Sequence, residues 1–311
     1  MSPKQLPLIP TPGEHNLARD SALQQAVPPF LEHLRLDGCS PHTIAAFASD
    51  LRLVVDFFGE TMRLIDFTTS KLDHFMTWIE TGRGVPCSRK SYARRVTTLK
   101  AFFKFLKSEK VLPDNPADAL VQRSGAAPLQ PILTDDEINH LLSHTLAQRL
   151  AEKPDARPDL LLRLLLDTGI KKSECMQITP ADVNRDEPDR PMLVIRHKKP
   201  NNVYQERKIA LDPDWLNVLE EFREQYRPKS VIFDCTPRNL EYVLHDTAVA
   251  AGVENKISFE ILRWTCAVRD YRRGMDLEEM REKMGLSRVS WRETSDKIIR
   301  LAALQASRES T

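Results

Sequence analysis

The sequence predicts a two-domain protein that is mainly α-helical and contains one small β-hairpin, an α+β fold. The chain has 311 residues, which is long enough for two domains that each bury a core. Most segments place apolar residues at helical spacing, and the whole chain contains only 10 glycines. The exception is a pair of short β-type runs, "MLVIRHK" and "VYQERKIAL", around the turn signal Pro200-Asn201-Asn202.

The first domain is predicted to follow a tail. Residues 1–26 are rich in proline and lack an apolar period, so we expect no packed structure there. Residues 27–121 predict a helical domain, whose second helix begins with Ser40 as N-cap and Pro41 in the first helical position.

A short linker separates this domain from the second one. Residues 122–131 have the composition of an interdomain linker. Residues 132–311 predict a second domain, which opens with Thr134 and Glu137 at the spacing of a capping box. The hairpin and several further helices follow.

Composition narrows the possible function classes. The chain is 41% hydrophobic and 29% charged, which is typical of a soluble globular protein. The five cysteines are odd in number and show no CxxC spacing, so we expect neither a disulfide framework nor a zinc site. No signal peptide is recognisable, and the run "LLLRLLL" is too short to span a membrane. We therefore expect a cytoplasmic protein without a metal or other cofactor.

One basic helix stands out in the first domain. Between Arg83 and Lys110 there are nine Lys or Arg and a single acid, Glu109, so the rest of the chain has a net charge of −7, the difference between +1 and +8. A run of charge is usually a solvated helix face, but such a face normally mixes signs. This pattern instead predicts a surface that follows DNA phosphates. The predicted core stripe is Tyr92, Val96, Leu99, Phe103 and Leu106, and the candidate DNA-binding residues are Arg89, Lys90, Arg94, Arg95, Lys100, Lys104 and Lys107.

Several motifs resemble one known family. "SPHTIAAFASDLRLVVDFF", followed by a basic helix, resembles the core-binding (SAM-like) domain of the phage integrases, or tyrosine recombinases. "LLLDTGIKKSECMQITPADV" resembles their first-arginine motif, T-G-L-R-x-S-E-L, and the hairpin resembles the one that bears the catalytic lysine. "EILRWTCAVRDYRRGMDLEEMREKMGL" resembles H-x-L-R-H-T followed by L-G-H. The resemblance implies a second domain of the tyrosine-recombinase catalytic type.

The resemblance also implies a reaction, in which a tyrosine forms a 3′-phosphotyrosyl bond with DNA while two arginines hold the phosphate. Transferred position by position, most of the catalytic groups are replaced. Only the second arginine, Arg263, remains unchanged, and the first is a lysine that cannot form a bidentate contact with phosphate. The family positions fall, in chain order, at Lys171, Lys198 or Lys199, Glu260, Arg263, Leu286 and Ser295. Of these we expect Lys171, Lys198, Lys199 and Arg263 to contact DNA.

Glu260 offers Arg263 a possible partner other than a DNA phosphate. The two residues are one helical turn apart and can form an ion pair. A carboxylate at this position would also repel a phosphate. A structural pair between Glu260 and Arg263 is therefore at least as well supported as a phosphate clamp, and the sequence favours a protein that does not cut DNA.

Three hypotheses remain open at this point. The first is an inactive, double-stranded-DNA-binding relative of the recombinases that acts as an accessory, regulatory or architectural subunit associated with the nucleoid. The second is an active recombinase with altered chemistry or a nucleophile supplied in trans. The third is a protein-interaction module that has also lost DNA binding.

The C-terminal segment "DKIIRLAALQA" predicts an amphipathic helix. Its apolar stripe could fold back on its own domain or be exchanged with another protomer, as in the family. We expect homo-oligomers, or hetero-oligomers with related recombinases, through this helix. The stripe consists of Ile298, Ile299, Leu301, Ala302 and Leu304.

Overall fold

The computed structural model describes residues 17–122, 129–187, 189–196 and 206–309. The chain divides into two compact units, Met1–Ala127 and Pro128–Thr311. The fold is mainly helical with one small antiparallel sheet, which confirms the predicted fold class. Within the described residues, no helix is both long and apolar enough to cross a membrane.

The described part of the first unit, residues 17–122, contains four α-helices. Ser40 caps the second of them as predicted, since its side chain accepts a hydrogen bond from the Thr43 amide at 3.1 Å. The third helix continues directly into a π-helical turn, Trp78–Gly82. The helices are α1 (Leu23–Leu36), α2 (Pro41–Phe58), α3 (Thr69–Thr77) and α4 (Arg89–Ser108).

Helix α1 begins earlier than the sequence predicted. Its first residue is Leu23, which lies inside the segment assigned to the tail, so the predicted boundary at residue 26 is wrong. Leu23 and Ala26 are fully buried. Proline is normally unfavourable in a helix interior. Pro28 and Pro29 nevertheless lie within α1, because burial of the apolar face of the helix outweighs the low helix propensity of proline.

Helix α4 forms the centre of the first core. The predicted stripe is buried along its whole length, from Tyr92 to Leu106. Phe102 packs edge-on against Phe30 of α1, with ring centroids 5.4 Å apart. This packing fixes which side of α4 faces solvent.

The second unit combines eight helices with the sheet in the part of the chain that the structure describes. The helices are α5 (Asp135–Arg149), α6 (Arg157–Thr168), α7 (Lys172–Cys175), α8 (Pro213–Tyr226), α9 (Pro237–Ala250), α10 (Phe259–Arg272), α11 (Leu277–Lys283) and α12 (Arg288–Glu309). The sheet has the order β1 (Val183–Asn184), β2 (Met192–Ile195) and β3 (Arg207–Ala210). Strands β2 and β3 form the predicted hairpin, but its turn lies outside the described residues, and the two-residue β1 was not predicted.

Local signals and burial together organise this unit. The capping box of α5 is present, with the Thr134 amide donating to Glu137 Oε2 at 2.8 Å and the Glu137 amide donating to Thr134 Oγ1 at 3.2 Å. The apolar helix α6 is buried and contacts α5, α8, α9 and α10. The core that surrounds it supports the loop after α6 and the ends of α10 and α11, where the candidate site lies.

The C-terminal helix α12 packs on its own unit. Ile298, Leu301 and Ala302 are buried in a cluster with residues of α10 and α11. Ile299 and Leu304 of the predicted stripe remain 38% and 48% exposed. Of the two arrangements left open by the sequence, the structure therefore adopts the one in which the helix folds back.

Candidate functional site

Two close approaches of the backbone bring the candidate residues of the second unit together. Helix α6 ends at Gly169, which has a φ of +57°, and the chain then reverses into Lys171, the N-cap of α7. A Cβ atom on Gly169 would lie 3.2 Å from Cys266 Sγ on α10, so only glycine allows this packing without displacing a neighbour. Lys171 therefore comes two residues after the point where the end of α6 contacts α10.

Arg263 joins three elements of this region. From α10, its Nη1 donates to the Gly169 carbonyl at the end of α6, and its Nη2 donates to the Met284 carbonyl after α11 at 2.6 Å. Burial lowers the pKa of the Arg263 guanidinium to about 10. Arg263 therefore has a structural role in holding the region together, whatever else it binds.

The predicted pair between Glu260 and Arg263 does not form. Glu260 is exposed in the first turn of α10, and within the described residues it makes no ion pair with Arg263. The prediction from spacing is wrong because the arginine points into the domain, where two backbone carbonyls need donors. The carboxylate that acts most strongly on Arg263 is instead Glu174.

Glu174 and Arg207 form a buried ion pair that sequence reasoning missed. Arg207 of β3 donates Nη1 and Nη2 to the two carboxylate oxygens of Glu174 at 3.1 and 2.9 Å. Its Nε donates to the Lys283 carbonyl at 2.7 Å. The side chains are 5% and 4% exposed, so this bidentate pair is fully desolvated.

A second glycine makes room for this pair. Gly285 has a φ of +58°, and a Cβ atom there would lie 2.7 Å from Arg207 Nη1. The pair thereby links β3, α7 and the end of α11. Glu174 occupies the glutamate position of the first-arginine motif, which was the one available signal, whereas no motif marked Arg207.

Lys171 lies at the edge of the same cluster. Its Nζ is 3.9 Å from Glu174 Oε1, and its side chain is half-buried. Burial lowers the pKa of Lys171, and the charges of Arg263 and Arg207 lower it further, although Glu174 opposes this. Lys171 therefore adds a third cation to the cluster that Arg263, Arg207 and Glu174 form.

The basic surface of the first unit is a separate feature. At about 100° per residue, the exposed cations of α4, together with the half-buried Lys100, cover an arc of about 140° that contains no acid. Those without a hydrogen-bond or ion-pair partner for the side chain in the described chain are Arg89, Lys90, Lys100 and Lys104. Lys107 is also exposed, 3.6 Å from the exposed carboxylate of Asp114.

Two predicted members of this surface are paired within the unit. Arg94 Nη2 donates to Asp50 Oδ1 at 2.7 Å, and Arg95 Nε lies 3.5 Å from the same oxygen. Arg95 is only 11% exposed, because it faces α2. Arg94 and Arg95 thus have an acidic partner inside the unit, and their predicted contact with DNA stays a prediction.

Each of the two units matches a model of a known protein family. The model described as "Phage integrase, N-terminal SAM-like domain" matches residues 27–110, and the model of the "Phage integrase family" matches residues 131–292. The chain belongs to the phage integrase family of tyrosine recombinases.

Recombinases of bacteria and phage are similar to this family member over most of its length. The tyrosine recombinase XerC of Anoxybacillus flavithermus is 24% identical over 279 residues, which cover 84% of this chain and 89% of that protein. The tyrosine recombinase XerD of Vibrio cholerae is 24% identical over 283 residues, which cover 86% and 89%.

Solved structures of recombinases share the fold. A XerH site-specific recombinase bound to palindromic difH in a post-cleavage complex superimposes with a TM-score of 0.70 at 17% identity, covering 93% of this chain and 84% of that one. A lambda integrase dimer bound to a COC′ core site gives 0.68 at 15% identity, covering 88% and 77%.

Two of the remaining family positions lie in the described part of the chain, at Leu286 and Ser295. Leu286 is partly buried and packs against the cluster that includes Met284 and Trp291. Ser295 lies on α12, and its hydroxyl donates to the Arg292 carbonyl of its own helix at 3.1 Å. Lys198 and Lys199 lie outside the described residues, so their predicted roles remain predictions.

Proposed function

We propose that this protein binds duplex DNA without cutting it, as an accessory, regulatory or architectural subunit in DNA recombination or integration. The observation that carries this proposal is the exposed arc of α4. Four of its cations have no partner in the described chain, and no acid interrupts the arc.

Electrostatics favours a polyanionic partner for this arc. The remainder of the chain has a net charge of −7, so the net excess of positive charge lies in residues 83–110. Each phosphate that such a surface neutralises releases condensed counterions, which is the main source of affinity for duplex DNA. The XerH and lambda integrase structures of similar fold are complexes with DNA, which supports the same kind of partner here.

The second unit supports binding rather than cleavage. Cleavage requires a nucleophile with a nearby base and an acid for the leaving hydroxyl. At the family positions stand Ser295, which is hydrogen-bonded to its own helix, and Leu286, which can neither donate nor accept a proton. Lys171 and Arg263 keep the positive charge of the two family arginines, so this region can still contact a DNA phosphate.

We expect no covalent complex between the full chain and DNA. The protein should be incubated with nicked duplexes of randomised sequence and with sheared chromosomal DNA, then denatured in SDS. The wild type and a Ser295→Ala variant should both leave the DNA free of protein. An active tyrosine recombinase on its own nicked substrate serves as the positive control.

An SDS-resistant band that is absent in Ser295→Ala would show that the serine attacks DNA, and a band that persists in that variant would indicate another nucleophile. Either result would favour the second hypothesis, an active recombinase with altered chemistry.

Assembly through α12 is part of the proposal. A helix near a chain end can exchange between protomers at little cost, because the same contacts form in trans. We expect self-association that increases with protein concentration and is weakened by ending the chain at Thr294. Because that truncation removes the buried Ile298, Leu304→Glu is the gentler variant, since Leu304 is half-exposed. Sedimentation of all three proteins tests this, and identical monomers with and without DNA would contradict it.

A further inference from the structure

A buried carboxylate lies directly beneath the basic face of α4. Asp50 of α2 is 2% exposed and accepts hydrogen bonds from Arg94 Nη2 at 2.7 Å and from Thr98 Oγ1 at 3.0 Å. A carboxylate at this depth is costly unless it is paired and hydrogen-bonded. Here its partners come from one neighbouring helix, α4.

The charges at this point do not balance. Arg95 is also near Asp50, with Nε 3.5 Å from Oδ1, while its Nη1 donates to the Cys87 sulfur at 2.8 Å. Arg95 Nε is buried and has no hydrogen-bond partner. Two guanidinium groups therefore share a single carboxylate, and one positive charge is left over where little water is present to screen it.

Of the two arginines, Arg94 is the one whose guanidinium reaches solvent. Its side chain is 42% exposed, although its Nη2 is fixed on Asp50. The other N–H groups of the guanidinium are left for a partner in solvent. On the helix surface Arg94 lies at one edge of the exposed arc, about 40° from Lys90 and about 80° from Lys104.

We propose that Asp50 is a positioning residue that holds Arg94, with Arg95 behind it, as a preformed clamp for one phosphate of the DNA backbone. The inference rests on the proposed DNA binding and assigns a negatively charged residue to the DNA interface. A guanidinium that is already held in place loses less side-chain entropy on binding, so the phosphate contact is stronger than that of a free arginine.

The direction in which Asp50→Asn changes the affinity for DNA tests this inference. If Asp50 were only a nearby negative charge, Asp50→Asn would strengthen DNA binding, because it removes repulsion of the phosphates. As a positioning residue, it should weaken binding about five- to tenfold at about 0.1 M salt and reduce the salt slope by about one unit, as expected when one phosphate is no longer neutralised. Arg94→Gln should have a similar effect, and the double variant should be no weaker than either single one.

Arg94→Lys keeps the charge without disturbing the fold, and covers the case in which Asp50→Asn is poorly folded. A lysine cannot hold Asp50 and a phosphate with the same planar group, so we expect a loss of affinity close to that of Arg94→Gln. Unchanged affinity in Arg94→Lys, or tighter binding by a folded Asp50→Asn protein, would overturn the clamp while leaving DNA binding intact. Failure of the wild type to bind any duplex would instead reject the proposed function.

Discussion

Changing Lys100, Lys104 and Lys107 to glutamate is expected to lower the affinity for duplex DNA by about two to three orders of magnitude at about 0.1 M salt. All three side chains lie on the solvent side of α4, away from its buried stripe. At this salt concentration each neutralised phosphate contributes about eightfold through counterion release, and three of them together give the stated range. The salt slope should fall by about one unit for each lysine replaced, for every sequence tested.

A matched variant separates the α4 surface from net charge alone. Arg35, Arg52 and Lys71 are exposed on α1, α2 and α3, and changing them to glutamate alters the net charge by the same amount. This control should lose much less affinity in a gel-shift titration against salt. An equal loss in both triple variants would mean that total charge, rather than the α4 arc, governs binding.

Breaking the Arg207–Glu174 pair is expected to have the largest effect on stability. Glu174→Gln should lower the free energy of unfolding by about 3–5 kcal/mol, because it removes the carboxylate charge that the buried guanidinium of Arg207 contacts. Replacing both residues, as Arg207→Met with Glu174→Leu, should restore part of that loss. Urea unfolding of Arg207→Met, Glu174→Leu and the double variant made of these two changes measures the coupling.

An exposed pair in the same unit provides the control. Lys172 and Glu241 are 2.6 Å apart but about half exposed. Solvent screens such a pair, so Lys172→Met should cost at most about 1 kcal/mol. A similar cost for Glu174→Gln would show that the buried pair does not stabilise the region as described.

The stabilisation by Glu174 should also depend on pH. Burial alone would raise the pKa of Glu174, but the hydrogen bonds and charge of Arg207 outweigh it and hold the pKa below its usual range. A carboxyl whose pKa is lower in the folded than in the unfolded state stabilises the fold above the unfolded pKa, about 4.3, and loses this effect as the pH falls through the folded value. The difference in stability between the wild type and Glu174→Gln should therefore shrink below about pH 4.

Sequence patterns predicted the features that depend on neighbouring residues. The Ser40 cap, the Thr134–Glu137 capping box and the buried stripe of α4 all follow from short spacings, and all are present. The start of α1 was misplaced because burial of Leu23 overrides the local effect of two prolines.

Contacts between distant residues were beyond sequence reasoning. Arg207 and Glu174 are 33 positions apart, and nothing local indicates that they meet. The carbonyls of Gly169 and Met284 take the place predicted for Glu260 as partners of Arg263. Asp50 likewise reaches Arg94 from another helix, which no spacing within α4 reveals.

Binding without cleavage can be measured on one sample. The full chain is titrated onto a labelled, nicked duplex at several salt concentrations, and each mixture is analysed on a native gel and, after SDS treatment, on a denaturing gel. The account predicts a shifted native band whose affinity falls steeply with salt, and DNA free of protein on the denaturing gel. Absence of a shift at low salt, or protein that stays attached to DNA in SDS, would contradict it.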